Sequence, residues 1–284
     1  MRGARAPHPG YALVDFACAK HAWMLYEDRD RAESFGAVAE LYDRARPSYP
    51  PALIDDLVAD VPARVIDVGC GTGIAGALLA ARGCHVLGVE ADERMAALAR
   101  SKGLRVEVGR FERWADRGRR FDLLVSAQAW HWIAPDAGVP KAAEVLAEGG
   151  RIGLFWNFGD PPPEVRERLA PIYERLAPRL ENYSVILGNR TERGRETIAP
   201  IVASPRFGTP EVRRFPWTQT YDRAAWLAHL ETHSDHQALE PPRRQRLLSA
   251  VGDAIDALGG SFQMPYETVL VTARMLPLRA TTMR

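Results

Sequence analysis

Cysteine is scarce in this chain: Cys18, Cys70 and Cys84 are the only three among 284 residues. An odd number with no C-x-x-C pair excludes a disulfide framework and a cysteine-based zinc site, and points to a reducing, cytoplasmic setting. A surplus of either charge is also missing. Lys and Arg number 37 against 36 Asp and Glu, a formal net charge of +1. That balance supplies no global attraction to nucleic acid or to an anionic membrane surface. No apolar run reaches the ~20 residues of a membrane span. The apolar stretches near the N-terminus are broken by Asp15, Lys20 and His21, so no signal-peptide core is readable there, and no internal repeat is visible. Apolar side chains are plentiful, at 46%, enough for one large domain or a domain with an added lobe.

The apolar residues are arranged in an alternation. Phe35, Val38, Leu41 and Tyr42 recur at helical spacing within 31–46, a helix stopped by Pro47, Pro50 and Pro51. A short helix is expected over roughly 51–60. Then come short β-rich runs at Arg64–Val68, His85–Glu90, Leu104–Val108, Phe121–Ser126 and Arg151–Trp156. They are separated by the helix-like stretches Ala75–Arg82, Arg94–Lys102 and one containing Ala142–Leu146. Strand, helix and strand at this spacing predict right-handed crossovers and a parallel sheet covered on both faces. Past Asn157 the pattern changes. A helix is expected over about 163–180, an irregular stretch over 183–210, a strand at Glu211–Phe215, helices at Trp226–Leu230 and Arg243–Leu258, and a closing strand at Glu267–Arg274. The expected fold is an α/β, Rossmann-like, mostly parallel seven-stranded sheet with helices on both faces and a helical cap. Its organisation reads as an N-terminal extension (1–30), a cofactor-binding core with its leading helix (31–160), an acceptor-side cap (161–265) and a closing strand and tail (266–284).

The strongest local signal is Val65–Ala75, VIDVGCGTGIA. A buried strand ends in Asp67, and Gly69, Gly71 and Gly73 follow at spacing two. Glycine permits backbone angles that other residues avoid and removes the Cβ that would block a ligand. Open α/β sheets bind ligands at this edge, beyond the carboxyl ends of their strands. Glu90 ends the next strand, 21 residues beyond Gly69, where an acid accepts hydrogen bonds from ribose hydroxyls. A dinucleotide site favours G-x-G-x-x-G, with the pyrophosphate on a helix N-terminus. Here the spacing is G-x-G-x-G and Asp67 stands before it. An acid there is poor company for a pyrophosphate and suits the ammonium group of a methionine moiety. The alternative is an ordinary tight turn with an exposed acid after it.

DVGCGTG followed by GVEAD resembles the first two motifs of the class I S-adenosylmethionine-dependent methyltransferases. LYDRARPSYP upstream and AQAWHW downstream resemble the small-molecule branch that includes trans-aconitate-type enzymes. The resemblance covers about residues 31–160. It implies S-adenosyl-L-methionine as cofactor and S-adenosyl-L-homocysteine as product. It also implies roles by position: Asp67 and Gly69 near the methionine end, Gly71 and Gly73 where the cofactor approaches, with Cys70 between the first two glycines as a further cofactor-binding position, Glu90 at the ribose and Ala91 beside the adenine. Phe111 and Glu112 match the segment bordering adenine, although Arg110 stands where that segment normally carries an acid. Ser126, Ala127 and Gln128 match the strand end under the sulfonium. In the family the segment around Tyr42 folds over the cofactor. Tyr42 would then cover the methyl donor and Arg46, four residues on and on the same helix face, would meet the methionine carboxylate, with Tyr49 on the acceptor side.

The run from Gln128 to Ile133 places Trp130 and Trp132 around His131 at this edge. Methyl transfer to a nucleophile requires mainly alignment and exclusion of water, and a base helps when the nucleophile is a hydroxyl or protonated amine. His131 is the candidate base or substrate-orienting group, the alternative being a structural histidine. Trp130 and Trp132 are candidates for walls of the pockets, with attraction of a sulfonium to an aromatic face; core packing is the alternative. Trp226, His229 and His233 are candidates for the acceptor pocket. His229, His233 and His236 are spaced four and three apart, but no metal motif surrounds them, so no metal is expected. Arg117, Arg119 and Arg120 read as a solvated turn. Arg190, Arg193 and Arg195 read as a solvated loop, with an anionic acceptor as the alternative. The function expected is methylation of a small molecule at O, N or C, without nucleic-acid or membrane partners. The alternatives are an NAD(P)-dependent oxidoreductase on a Rossmann sheet and an inactive binding module of the same fold. RNA or protein methylation is disfavoured by the charge balance and by the lack of an N-P-P-[FY] motif after the fourth strand.

Overall fold

In the computed structural model the described residues are Tyr26, 35–59, 64–178, 180 and 199–277. A 3-10 turn (Phe35–Val38) leads into α1 (Ala39–Ala45). Next come α2 (Pro51–Leu57), β1 (Arg64–Val68), α3 (Ile74–Ala80), β2 (His85–Glu90), α4 (Glu93–Ser101), β3 (Arg105–Val108), β4 (Phe121–Ala127), α5 (Pro135–Val145) and β5 (Leu146–Gly159). The second part holds α6 (Pro163–Leu176), β6 (Glu211–Asp222), α7 (Arg223–Glu231), α8 (Ser234–Gln237), α9 (Pro241–Ala257) and β7 (Ser261–Arg274). The seven strands form one sheet in the order β3-β2-β1-β4-β5-β7-β6. β3, β2, β1, β4 and β5 pair in parallel, while β7 is antiparallel to both β5 and β6. The expected fold class is therefore observed.

Local chemistry sets many of these elements. The RVIDV strand is buried after its first residue, as a strand covered on both faces must be. Asp92 caps α4 by accepting from the Arg94 N–H, and Asp222 caps α7 through the Ala225 N–H. Pro51, Pro135 and Pro163 open their helices, where a missing N–H costs nothing. Two apolar clusters pack on the sheet: one contains Ile66, Val89, Leu124 and Trp156, the other Leu53, Leu57, Val65 and Leu123. A third, including Leu169, Tyr173, Tyr221, Trp226, Leu247 and Met264, lies among α6, α7, α9 and the outer ends of β6 and β7.

Several boundaries differ from expectation. The helix before β5 runs from Pro135 and ends at Val145, one residue short of the Leu146 expected in it. Leu146 belongs to β5, paired with Phe121 ahead of a register shift. β6 continues through Pro216 to Asp222; as an edge strand it tolerates a proline. β7 opens at Ser261, six residues before the strand expected at Glu267. Phe262, Met264 and Tyr266 are buried there while the residues between them are exposed, a two-residue period masked in the sequence by Pro265.

Candidate active site

β1 and β2 end side by side, and the glycine loop turns above them. Gly69, Gly71 and Gly73 have φ of 66°, 56° and 81°, all in the left-handed region that favours glycine. The Gly69 N–H donates to the Val89 carbonyl at 2.8 Å. Glu90 then holds the loop from the neighbouring strand. Its Oε2 accepts from the Gly71 N–H at 2.8 Å and its Oε1 from the Asp92 N–H at 3.0 Å. Each carboxylate oxygen can accept once more, so these bonds leave capacity for ribose hydroxyls. Burial raises the Glu90 pKa and the backbone donors pull it back.

Asp67 lies beneath the loop with no exposed surface. Neither carboxylate oxygen closes a hydrogen bond, although the Gly76 N–H in α3 leans towards it. Burial first, and the Glu90 charge second, push its pKa up to about 7. A buried acid without a full set of donors invites a cationic partner. Left-handed glycines, a ribose-type acid and this unsatisfied carboxylate together fit the methyl donor that the motifs imply.

A strap made of the 3-10 turn and α1 crosses this edge. On one side Gly36 lies so close to the Asp92 carboxylate that a Cβ would collide with it, and Lys102 pairs with Asp43. On the inner side Phe35 meets Tyr42 edge-on at 5.8 Å and Trp132 at 6.0 Å. Arg46 lies over the Tyr42 ring at 4.9 Å, and its Nη2 donates to the Thr232 carbonyl at 2.8 Å. Its Nε is buried without a partner. Tyr49 packs edge-on against Phe155 at 4.9 Å. Its hydroxyl pKa is pushed well up, first by burial, then by Tyr42 and Asp67, against the lowering effect of Arg46. Tyr42, Arg46, Tyr49 and Asp67 thus belong to one neighbourhood.

The end of β4 meets them from the other side. Ser126 donates to the Val68 carbonyl at 2.8 Å, tying β4 to β1. Gln128 adopts φ 58°, rare for a residue with a Cβ, and its Nε2 lies 3.4 Å from the Asn157 carbonyl. Ala129 fits against Gly69, whose Cβ would lie 2.6 Å from that of Ala129. The Trp156 indole N–H donates to His131 Nδ1 at 3.3 Å. A relay below joins three strands to the chain just after α1: Trp217 Nε1 donates to Thr268 Oγ1 (2.9 Å), Thr268 to Asn157 Oδ1 (2.6 Å), and Asn157 Nδ2 to the Ser48 carbonyl (3.0 Å).

The remaining expected site residues flank this centre or pack in the cores beside it. Ala91 is exposed beside Glu90. Phe111 and Trp130 are buried in the sheet core, their rings 6.1 Å apart. Glu112 accepts from the Ala134 N–H at the start of α5. Cys70 is buried with its Sγ against Gly88. Trp226 is fully buried among Tyr221, His229 and Phe262. Two of the three histidines bond each other, and the third turns to other partners. His229 Nδ1 meets the Ala45 carbonyl (3.3 Å), His233 Nε2 meets His229 Nε2 (3.1 Å), and His236 bridges Asp235 (2.8 Å) and the Tyr173 hydroxyl (3.0 Å). Arg119 pairs with Glu107 and Arg120 with Asp116. Arg190, Arg193, Arg195 and Cys18 lie outside the described residues. Sequence reasoning missed Phe35, Trp156, Asn157 and Thr268 as parts of the site. In the sequence Phe35 and Trp156 have only the pattern of helix-face and strand residues, and the polar pair carries no motif.

Comparison with known proteins agrees with this geometry. A family profile described as a methyltransferase domain matches residues 65–150. An uncharacterized methyltransferase of Mycobacterium tuberculosis is 32% identical over 264 residues, covering 89% of this chain and all of the relative. Trans-aconitate 2-methyltransferase of Variovorax paradoxus is 34% identical over 122 residues, 39% of this chain and 44% of that protein. A solved structure from Anaeromyxobacter dehalogenans, described as a candidate type II methyltransferase, shares the fold with a TM-score of 0.62 at 24% identity, covering 82% of this chain and 99% of that one. With the glycine loop, the acid after it and a full-length methyltransferase relative in hand, the chain belongs to the class I S-adenosylmethionine-dependent methyltransferases.

Proposed function

We propose that this protein transfers the methyl group of S-adenosyl-L-methionine to an O, N or C atom of a small molecule and releases S-adenosyl-L-homocysteine. One observation carries the cofactor half. Glu90, Asp67 and three left-handed glycines converge at the carboxyl edge between β1 and β2, with Glu90 already bonded to the Gly71 N–H. The bound cofactor supplies a methyl carbon activated by a positive sulfur. Glu90 would hold the ribose hydroxyls, Asp67 would balance the ammonium group, and Arg46, through its buried unpaired Nε, would meet the methionine carboxylate.

On the acceptor side the strap and the cap meet over the strand ends, and Phe35, Tyr42, Trp132 and His131 form an aromatic wall. This arrangement favours a compact acceptor shielded from water. The near-neutral charge of the chain and the partial likeness to a trans-aconitate methyltransferase support the same reading. His131 is better suited to orient than to take up a proton. Because the indole of Trp156 can only donate, Nδ1 of the neutral imidazole accepts and Nε2 carries the hydrogen. His131 Nε2 is then a donor and does not serve as a base. Among the described residues no helix is long and apolar enough to cross a membrane. The two described cysteines are free thiols, which supports action in a reducing compartment.

Calorimetric titration tests the reading. S-Adenosylhomocysteine should bind with micromolar affinity and NADH should not. Binding of NADH alone would replace the proposal with the nicotinamide-dependent alternative; binding of neither would favour an inactive module. Release of S-adenosylhomocysteine across a panel of small carboxylates, phenols and amines then identifies the acceptor.

A further inference from the structure

The strap and the cap cap one another. Ala45 is the last residue of α1, and Thr232 closes α7. Carbonyls at helix C-termini lack intrahelical partners. Here each is satisfied by the other helix: Arg46 Nη2 donates to the Thr232 carbonyl at 2.8 Å, and His229 Nδ1 lies 3.3 Å from the Ala45 carbonyl. A carbonyl only accepts, so His229 carries its proton on Nδ1. Its Nε2 is then the acceptor, and the group facing it is His233 Nε2 at 3.1 Å, which must donate. The chain of donors runs one way, from His233 through His229 to Ala45.

The ring of His229 has little freedom to leave this arrangement. It is 2% exposed and packs against Trp226 at 5.3 Å, Tyr221 at 5.6 Å and His233 at 4.7 Å. Burial, and secondarily the Arg46 charge, depress its pKa to about 3, so it stays a neutral donor through the physiological range. The carbonyl it holds belongs to the residue immediately before Arg46 and three after Tyr42.

We propose that His229 is a positioning residue of the methyl-donor cleft: its Nδ1–H latches the C-terminus of the strap to the cap and so sets Arg46 and Tyr42 at the mouth of the cleft. The latch itself stands on geometry alone; its effect on the cofactor rests on the methyl-donor reading above. His229 acts here through the strap instead of touching the acceptor.

The test compares His229→Leu with His229→Asn in the full-length protein, reading hydrogen–deuterium exchange over residues 42–49 and S-adenosylhomocysteine affinity by calorimetry. The Asn amide places an N–H where Nδ1–H stood; Leu fills the space without a donor. The latch predicts exchange over 42–49 at least tenfold faster in the Leu variant, near wild type in the Asn variant, with β1 and α9 peptides unchanged in both. Affinity should fall about tenfold with Leu and stay within about threefold with Asn. Wild-type exchange in the Leu variant, or equal loss in both variants, overturns the proposal. If the Leu variant is not recovered folded, nitrogen-15 NMR of the histidine rings in the wild-type protein substitutes for it: the latch predicts the Nδ1–H tautomer at His229, and the Nε2–H tautomer overturns the proposal. A wild-type protein that binds no S-adenosylhomocysteine removes the methyl-donor reading, while the exchange comparison still decides the latch.

Discussion

The indole N–H of Trp156 meets Nδ1 of His131 across 3.3 Å, so a strand residue fixes which nitrogen of a loop histidine carries the proton. The consequence is measurable. His131→Gln keeps an N–H near the Nε2 position and should hold turnover within about tenfold. His131→Ala should lose about 100-fold, the scale of one lost transition-state hydrogen bond. Both should bind S-adenosylhomocysteine within about twofold of wild type. If His131 were instead the base, the Gln variant would be as slow as the Ala variant.

Glu90 serves the loop and the ribose at once. Glu90→Ala removes the acceptor of two backbone N–H groups as well as the ribose contact. We expect S-adenosylhomocysteine affinity to fall by about 1.5–3 kcal/mol, or roughly 10- to 100-fold, together with a lower melting temperature. Calorimetry and thermal melts on one preparation check both, and unaltered affinity would remove Glu90 from the cofactor site.

Gly69→Ala places a side chain at φ 66° and 2.6 Å from the Ala129 Cβ. The left-handed conformation alone costs about 1–2 kcal/mol, and the clash pushes the loop away from β4. At least a tenfold loss of S-adenosylhomocysteine affinity is expected. Wild-type affinity and melting temperature would show that the loop tolerates the Cβ.

Asp67 sets a pH dependence. Its pKa is raised from 3.8 in the free side chain to about 7 in the fold. Between these values the folded protein holds a proton that the unfolded chain has released. The contribution of Asp67 to stability therefore falls as pH rises from about 4 to 7, by up to roughly 4 kcal/mol. Asp67→Asn lacks this loss, so its melting temperature should gain on wild type across that window. Parallel profiles for the two proteins would mean that Asp67 ionises in the fold without cost.

Thr268 is fully buried and joins Trp217 to Asn157. Thr268→Val keeps the shape but leaves the indole N–H and the amide oxygen unpaired. Urea unfolding should show a loss of about 2 kcal/mol. A change below about 0.5 kcal/mol would indicate that the relay is dispensable.

Much of this was legible in the chain. Strands buried on both faces read as unbroken apolar runs, which is why Arg64–Val68 and His85–Glu90 coincide with their observed bounds. The glycine loop and Glu90 could be paired because one crossover separates them and their chemistry is local. The ends of β6 and β7 were harder: Pro216 and Pro265 interrupt the pattern, and only edge placement and pairing explain them.

The sequence by itself determined the alternation of strands and helices, the left-handed turn and the acid beside it, because backbone preference and burial act over a few residues. Tertiary structure decided the rest. It set β7 between β5 and β6, buried Trp226 in the cap, gave Trp156 control of the His131 tautomer and exchanged caps between the strap and α7. These are directional hydrogen bonds and packing contacts between residues brought together only by the fold. His229 and Ala45, 184 positions apart, share no local pattern that the chain could display.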